Sequence, residues 1–299
     1  MARGNTRILS ESQKDMAKLF GSLCDRHSSW QVWADFIETT AISIQNVFEQ
    51  FNPSKKAAER ERRYQEIMAQ YTPAEQKVFP QMLITMSEDM EANQDQDYLG
   101  EMFMALELGS HWKGQFFTPY NVCRMMAEIQ LHDAAGRIEE KGWIGVNDPA
   151  CGAGALLIAA RNVFARDGIG SDRVLFVAQD IDRVAGLMCY IQLSLLGCAG
   201  YVVIADTLCN PITGADPLFP VFNDDHDPWF TPMWYLDVWS GRRLWYAAGR
   251  NAYAAFHGAA KTQQIVPPAA EAQRSEPEEV KPAIPSVPDV AVGEQLRLF

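Results

Sequence analysis

Over roughly the first 110 residues the apolar positions recur with helical spacing, and no stretch alternates as a strand would. Met16, Leu19, Phe20 and Leu23 sit at i, i+3, i+4 and i+7, and Ile44, Val47, Phe48 and Phe51 repeat the stripe, so each predicts a helix packed on a core. Asn52-Pro53-Ser54 reads as a stop and restart. The helix predicted after it carries Lys55, Lys56, Arg60, Arg62 and Arg63, either as a solvated face laced to Glu59, Glu61 and Glu66 or as a phosphate-contacting one. From about residue 112 to 206 the period changes: short apolar runs at 143–146, 174–178 and 201–205 alternate with amphipathic helices at 156–165 and 184–196. The helices end near Gly168 and Gly197. This alternation predicts a parallel sheet with helices on both faces.

The connection after the first run carries the most chemistry. Asn147-Asp148-Pro149-Ala150-Cys151-Gly152-Ala153-Gly154 joins a strand to a helix, with glycines where a ligand must touch backbone and free N–H groups at the helix start. A dinucleotide fingerprint needs a third glycine where Leu157 stands, and here an acid, Asp148, precedes the glycines. A cationic nucleotide-type ligand such as S-adenosylmethionine fits better. Asp180 lies at the end of the second strand, at the distance from the glycines where a carboxylate accepts both ribose hydroxyls. Asp182 reads as a helix cap, and Asp206, after the third strand, as either a ligand or a turn cap.

Composition narrows the class. The chain has 299 residues, 47% of them hydrophobic, and no apolar run long enough to span a bilayer or mark a signal peptide, which predicts a cytoplasmic location. Its six cysteines are scattered without metal spacing, as reduced buried thiols would be, so no metal site is expected. A formal charge of −12 is awkward for a protein that grips DNA, so any DNA contact is local or borrowed from a partner.

The loop resembles motif I of the amino-group DNA methyltransferases, especially the modification subunits of type I restriction systems. Gly114-Gln115-Phe116-Phe117-Thr118-Pro119, upstream of it, resembles that family's Gly-Gln-Phe/Tyr-Tyr/Phe-Thr-Pro segment, which closes over the methionine end of the cofactor. The resemblance implies a Rossmann-like α/β sheet, an S-adenosylmethionine site built from Phe117, Thr118, Asp148, Pro149, Gly152, Gly154, Asp180 and Asp206, and methyl transfer to adenine N6 in DNA. It also implies a helical leader and a specificity or restriction subunit as partner. The family's Asn/Asp-Pro-Pro-Phe/Tyr tetrapeptide is not intact. Asn210-Pro211-Ile212-Thr213 comes too soon after Asp206, and Asp227-Pro228-Trp229-Phe230 departs at Trp229, leaving Asp227, Pro228 and Phe230 as the catalytic candidates. The segment before them, 218–222, holds Pro220 and makes a doubtful strand.

Little chain remains for the distal half of such a sheet, which therefore looks reduced. It is filled by Trp229, Trp234, Trp239, Trp245 and their neighbours, which suit a core better than base stacking, while Arg242, Arg243 and Arg250 suit phosphate or open surface equally. After about Thr262 the composition turns to Pro and Glu, which predicts a disordered tail. It ends in Gln295-Leu296-Arg297-Leu298-Phe299, which resembles the peptide that docks bacterial proteins on the sliding clamp through Gln295, Leu296, Leu298 and Phe299. The other reading is a tail that folds back as a short strand. The predicted organisation is a helical leader over 1–110, a methyltransferase-like domain over 111–261 and the tail over 262–299. The predicted function is S-adenosylmethionine-dependent methylation of adenine N6 in DNA, the alternative a non-catalytic cofactor-binding module working on DNA through partners such as the clamp. A protein or small-molecule methyltransferase is a third reading, favoured by the acidic charge.

Overall fold

The computed structural model describes residues 9–49, 56–108, 117–214, 216–236, 238–249 and 295–297. The N-terminal segment is helical throughout: α1 (Glu11–Leu23), α2 (Ser29–Glu49), α3 (Ala57–Met68), α4 (Pro73–Gln76), α5 (Val78–Ala92) and α6 (Tyr98–Ala105). Local chemistry sets their starts. Ser10 caps α1 and Thr72 caps α4, each in a reciprocal box with Gln13 or Glu75 three residues on. The first expected stripe packs inward at Met16, Phe20 and Leu23. The second does so in part: Ile44 packs against the core and Phe48 stacks on Tyr235, while Val47 is exposed and Phe51 lies outside the described residues. Upstream in α2 the same face continues through Trp33, Ile37 and Ala41, all fully buried.

Helices α7 (Tyr120–Leu131) and α8 (Ala134–Lys141) lead into β1 (Ile144–Asp148), followed by α9 (Ala155–Arg166), β2 (Val174–Asp180), α10 (Arg183–Leu195), β3 (Ala199–Ile204) and β4 (Asp227–Phe230). The last strand, β5, is Gln295–Arg297. The sheet order is β4-β3-β2-β1-β5, with β1, β2, β3 and β5 parallel and β4 antiparallel at the edge. Asp227-Pro228-Trp229-Phe230 does not follow a strand but is itself the edge strand, and Pro228 is tolerated there because an edge has a free side. Part of the tail is ordered: Gly145, Val146 and Asn147 pair with Gln295, Leu296 and Arg297, the fold-back arrangement rather than a free docking peptide. The other tail residues, Leu298 and Phe299 among them, lie outside the described residues, as does Arg250.

Strand residues alternate between two cores. Val146, Phe176, Ala178 and Val202 join one that is continuous with the N-terminal helices, so leader and sheet share one interior. Trp143, Leu175, Val177, Tyr201 and Val203 face a second, closed by Leu218, Trp234 and Trp239. The aromatic segment is therefore largely core, although Trp245 is exposed. Cys123, Cys151, Cys189 and Cys198 are buried free thiols. Among the described residues no helix is long and apolar enough to cross a membrane.

Candidate cofactor site

The loop between β1 and α9 is shaped by its own backbone. Asp148 ends β1, and its Oδ1 accepts the Ala150 N–H at 3.1 Å, turning the chain. The Cys151 N–H donates to the Gln179 carbonyl at 3.0 Å and fastens the loop to β2. Gly152 and Gly154 then adopt φ of 54° and 96°, in the region side chains avoid. A Cβ at Gly152 would stand 3.1 Å from the Phe117 ring, whereas one at Gly154 would stand 2.9 Å from Cys189 Sγ. The first glycine thus keeps the loop open toward Phe117, and the second lets α10 pack beneath it.

Two segments distant in sequence therefore meet. Phe117 covers Gly152 and packs edge-to-face on Phe103 at 5.1 Å, while Thr118 is exposed beside it and its carbonyl accepts the Cys123 thiol. Residues 114–116 lie outside the described residues. Pro149 is held from the other side, its carbonyl accepting the Thr207 hydroxyl.

Asp180 closes the arrangement. Its Oδ2 accepts the Gly152 N–H at 2.7 Å and its Oδ1 the Asp182 N–H at 2.8 Å, which leaves each oxygen one further acceptor direction. Asp182 caps α10 through the Ala185 N–H at 2.7 Å, as its position predicts. Asp148, Asp180 and Asp182 are all buried. Burial pushes their carboxyls up, Asp148 and Asp182 to about 6, with the neighbouring Asp180 adding to both and backbone N–H groups opposing. No lysine or arginine forms an ion pair with them among the described residues. Buried carboxylates with raised proton affinity and no basic partner favour a ligand that brings a cation and hydroxyl donors. S-adenosylmethionine, with its sulfonium, its ammonium and a ribose, meets that demand.

Asp206 is a turn cap, its Oδ1 accepting the N–H groups of Leu208 at 2.8 Å and Cys209 at 3.1 Å, and these bonds hold its carboxyl low. Two residues that sequence reasoning passed over flank these acids. Ile181, next to Asp180, is 69% exposed, and Leu208, near Asp206, is 93% exposed. Both are apolar side chains left open to solvent beside strand-end acids. Gln192 was also missed: fully buried, it donates to the Ala153 carbonyl at 2.9 Å and to Asp97 at 2.8 Å while accepting the Leu99 N–H. It ties α6 to the cofactor loop, and a glutamine inside an apolar helix carries no local sign of that task.

Asp227, Pro228 and Phe230 stand elsewhere. Strands β3 and β2 separate them from β1. Asp227 accepts from Arg60 at 3.1 Å, from Arg183 at 2.6 Å and from Trp229 Nε1 at 2.9 Å, with Lys56 at 3.4 Å. Burial raises its carboxyl, but the two guanidiniums outweigh that and hold it at about 2. The Pro228 carbonyl accepts a second Arg60 bond, and Arg60 lies over the Trp229 ring. Phe230 packs among Tyr201, Phe222 and Trp234. The basic helix is thus divided. Arg60 is buried in this network and Arg63 pairs with Glu38, while Arg62 makes the expected exposed pair with Glu66.

Residues 95–227 match the family model described as N-6 DNA methylase. Over this segment the chain is similar to the N-6 DNA methylases. No curated protein matches the chain significantly. The methylase segment begins at the turn before α6 and ends at Asp227, so it takes in the loop, its three carboxylates and Phe117 together. Helices α1 to α5 precede it, yet α2 and α3 reach it through Glu38 and Arg60, which hold Arg183 and Asp227.

Proposed function

We propose that the chain binds S-adenosylmethionine in the crevice between Phe117, the Gly152 loop and Asp180, and acts in methylation of adenine N6 in DNA. The observation that carries this reading is the convergence of Phe117 on Gly152, with Asp148 and Asp180 beside it and lacking basic partners. Bound there, the cofactor supplies an electrophilic methyl group on sulfur. Asp148 would hold its positive end, Asp180 would accept ribose hydroxyls, Ile181 and Leu208 would offer apolar contacts to its base, and Phe117 with Thr118 would exclude water from the methionine end. Transfer to an amine then depends on positioning more than on proton chemistry. Calorimetric titration with S-adenosylmethionine tests the site: saturable binding that Asp148→Ala removes supports it, and no heat from the intact chain refutes it.

One observation favours a second reading, a cofactor-binding module that works through partners. Asp227, the carboxylate best placed in the sequence to accept a target amine's hydrogens, is held by two arginines and an indole. We assign it an anchoring role, which leaves the target-base acceptor to another element or to another chain. DNA, a specificity or restriction subunit and the sliding clamp remain the partners proposed, the last through the terminal peptide when it is not paired with β1. Direct sequencing for N6-methyladenine in cells with and without the gene separates the readings.

A further inference from the structure

In a doubly wound sheet the strands run outward from a switch point, and ligands lie in the crevice at the carboxyl ends there. The chain order from β1 through β2 to β3 runs in one direction only, which makes the outer edge of β1 the switch point. A second half-sheet would begin on that edge. Here it carries three residues from the far end of the chain, in parallel register: Gly145 with Gln295, Val146 with Leu296, Asn147 with Arg297. The pairing stops one residue short of Asp148, beside the cofactor loop.

Three features bear on what this edge takes. Its backbone is that of the strand carrying the cofactor loop, so it is fixed in place by β2 and both cores rather than by its occupant. The occupant runs parallel to β1. Two copies related by a two-fold axis would bring their β1 edges together antiparallel, so β1 of a second copy cannot substitute for it. Finally, the occupant belongs to the same chain, joined to the sheet region through a sequence that is rich in Pro and Glu from about Thr262 onward. A three-residue strand makes few backbone hydrogen bonds, so covalent connection favours its pairing over that of a free peptide, which has to be supplied at about millimolar concentration to compete.

We propose that the outer edge of β1 is a strand-acceptor surface at the mouth of the cofactor crevice, that it takes an extended polypeptide parallel to β1, and that Gln295–Arg297 is its tethered occupant, replaceable by a strand supplied in trans. The inference stands on backbone pairing and does not need the cofactor reading.

Amide hydrogen exchange on the full chain tests it. Successive N–H groups of a strand point to opposite sides, so replacing both Leu296 and Arg297 by proline must remove one that faces β1. The Leu296→Pro, Arg297→Pro double variant is expected to exchange the β5-facing amides of 145–147 at least tenfold faster, with those between β2 and β3 unchanged as the check on folding. Adding a synthetic peptide of residues 292–299 at millimolar concentration is expected to restore protection, and the same peptide carrying both prolines is not. Equal protection in parent and variant, or no recovery with the unmodified peptide, would overturn the proposal. Calorimetry with S-adenosylmethionine on both proteins reports the cofactor site separately, so the two readings fail independently.

Discussion

Asp148, which we propose meets the cofactor's cation in its ionised form, sits where ionisation is costly. Its carboxyl is pushed up to about 6 by burial, with Asp180 adding to it, against an unfolded value near 4. Below about pH 4 the group is protonated folded or unfolded and costs nothing; between about 4 and 6 only the unfolded chain loses its proton, so stability falls as pH rises, and above about 6 the loss is constant. Asp148→Asn keeps an oxygen for the Ala150 N–H without the charge. The variant is expected to be more stable than the parent at pH 7.5 in the absence of ligand, by about 1–3 kcal/mol, and equal to it at pH 4. Thermal unfolding at the two pH values checks this. The same variant should lose S-adenosylmethionine affinity, and the parent's affinity should strengthen as pH rises through about 6. The two loop glycines make a matched pair. Gly152→Ala places a methyl toward Phe117 and the crevice, Gly154→Ala one against Cys189 in the core, and each also adopts a positive φ that costs about 1–2 kcal/mol. Gly154→Ala should therefore show the larger fall in melting temperature and Gly152→Ala the larger loss of cofactor binding relative to its fall.

At the level of elements, the strands and helices around the loop were legible because each carries its own local signal. Runs of branched apolar residues gave β1, β2 and β3, Asp182 gave the start of α10, and Gly168 and Gly197 marked helix ends. What stayed hidden depends on distant partners. Arg60 reads as one of several surface cations, and only folding shows it buried against Asp227 and Trp229. Gln192 reads as a polar interruption, and Asp227 as a catalytic acid because its neighbours in sequence resemble a motif. Each is an interaction between segments far apart in sequence, which periodicity cannot report. The Asp227 network gives the N-terminal helices a role: α2 holds Arg183, the first residue of α10, through Glu38, and α3 holds Asp227, the other partner of Arg183, through Arg60. Asp227→Ala would leave Arg60, Arg183 and Lys56 crowded without their shared acid. It is expected to destabilise the fold by about 3–5 kcal/mol. A carboxyl held at about 2 adds a pH signature: its contribution is complete above about pH 4 and declines as pH falls toward 2, opposite in sign to that of Asp148. Urea unfolding of parent and variant measures it. An unchanged midpoint together with lost methylation would instead restore Asp227 as a catalytic group.

The whole molecule joins a helical segment and a half-sheet through one core, with the N-6 DNA methylase segment spanning the junction. Its charge of −12 sets how it can meet DNA. Neutralising phosphates requires clustered cations, and the basic helix α3 spends Arg60 on Asp227, Arg63 on Glu38 and Arg62 on Glu66. Breaking those pairs to reach phosphate returns little net charge. The tail is constrained in a similar way: residues 295–297 cannot lie along β1 and extend into a clamp pocket at once, so docking and strand pairing exclude each other. Both points lead to the same expectation, that the isolated chain holds DNA poorly and gains affinity from what it assembles with. Non-specific duplex binding by DNA enzymes is typically 10⁻⁴ to 10⁻⁶ M at physiological salt, and the chain alone is expected at or beyond the weak end of that range. Fluorescence anisotropy with a labelled duplex over 50 to 200 mM salt reads both the affinity and its slope, where about one unit of slope corresponds to each phosphate contacted. A shallow slope near two or less fits the ion-paired surface of α3. A slope of six or more with micromolar affinity would show that these pairs open on DNA, and Arg62→Glu with Arg63→Glu would then lower the slope by about two.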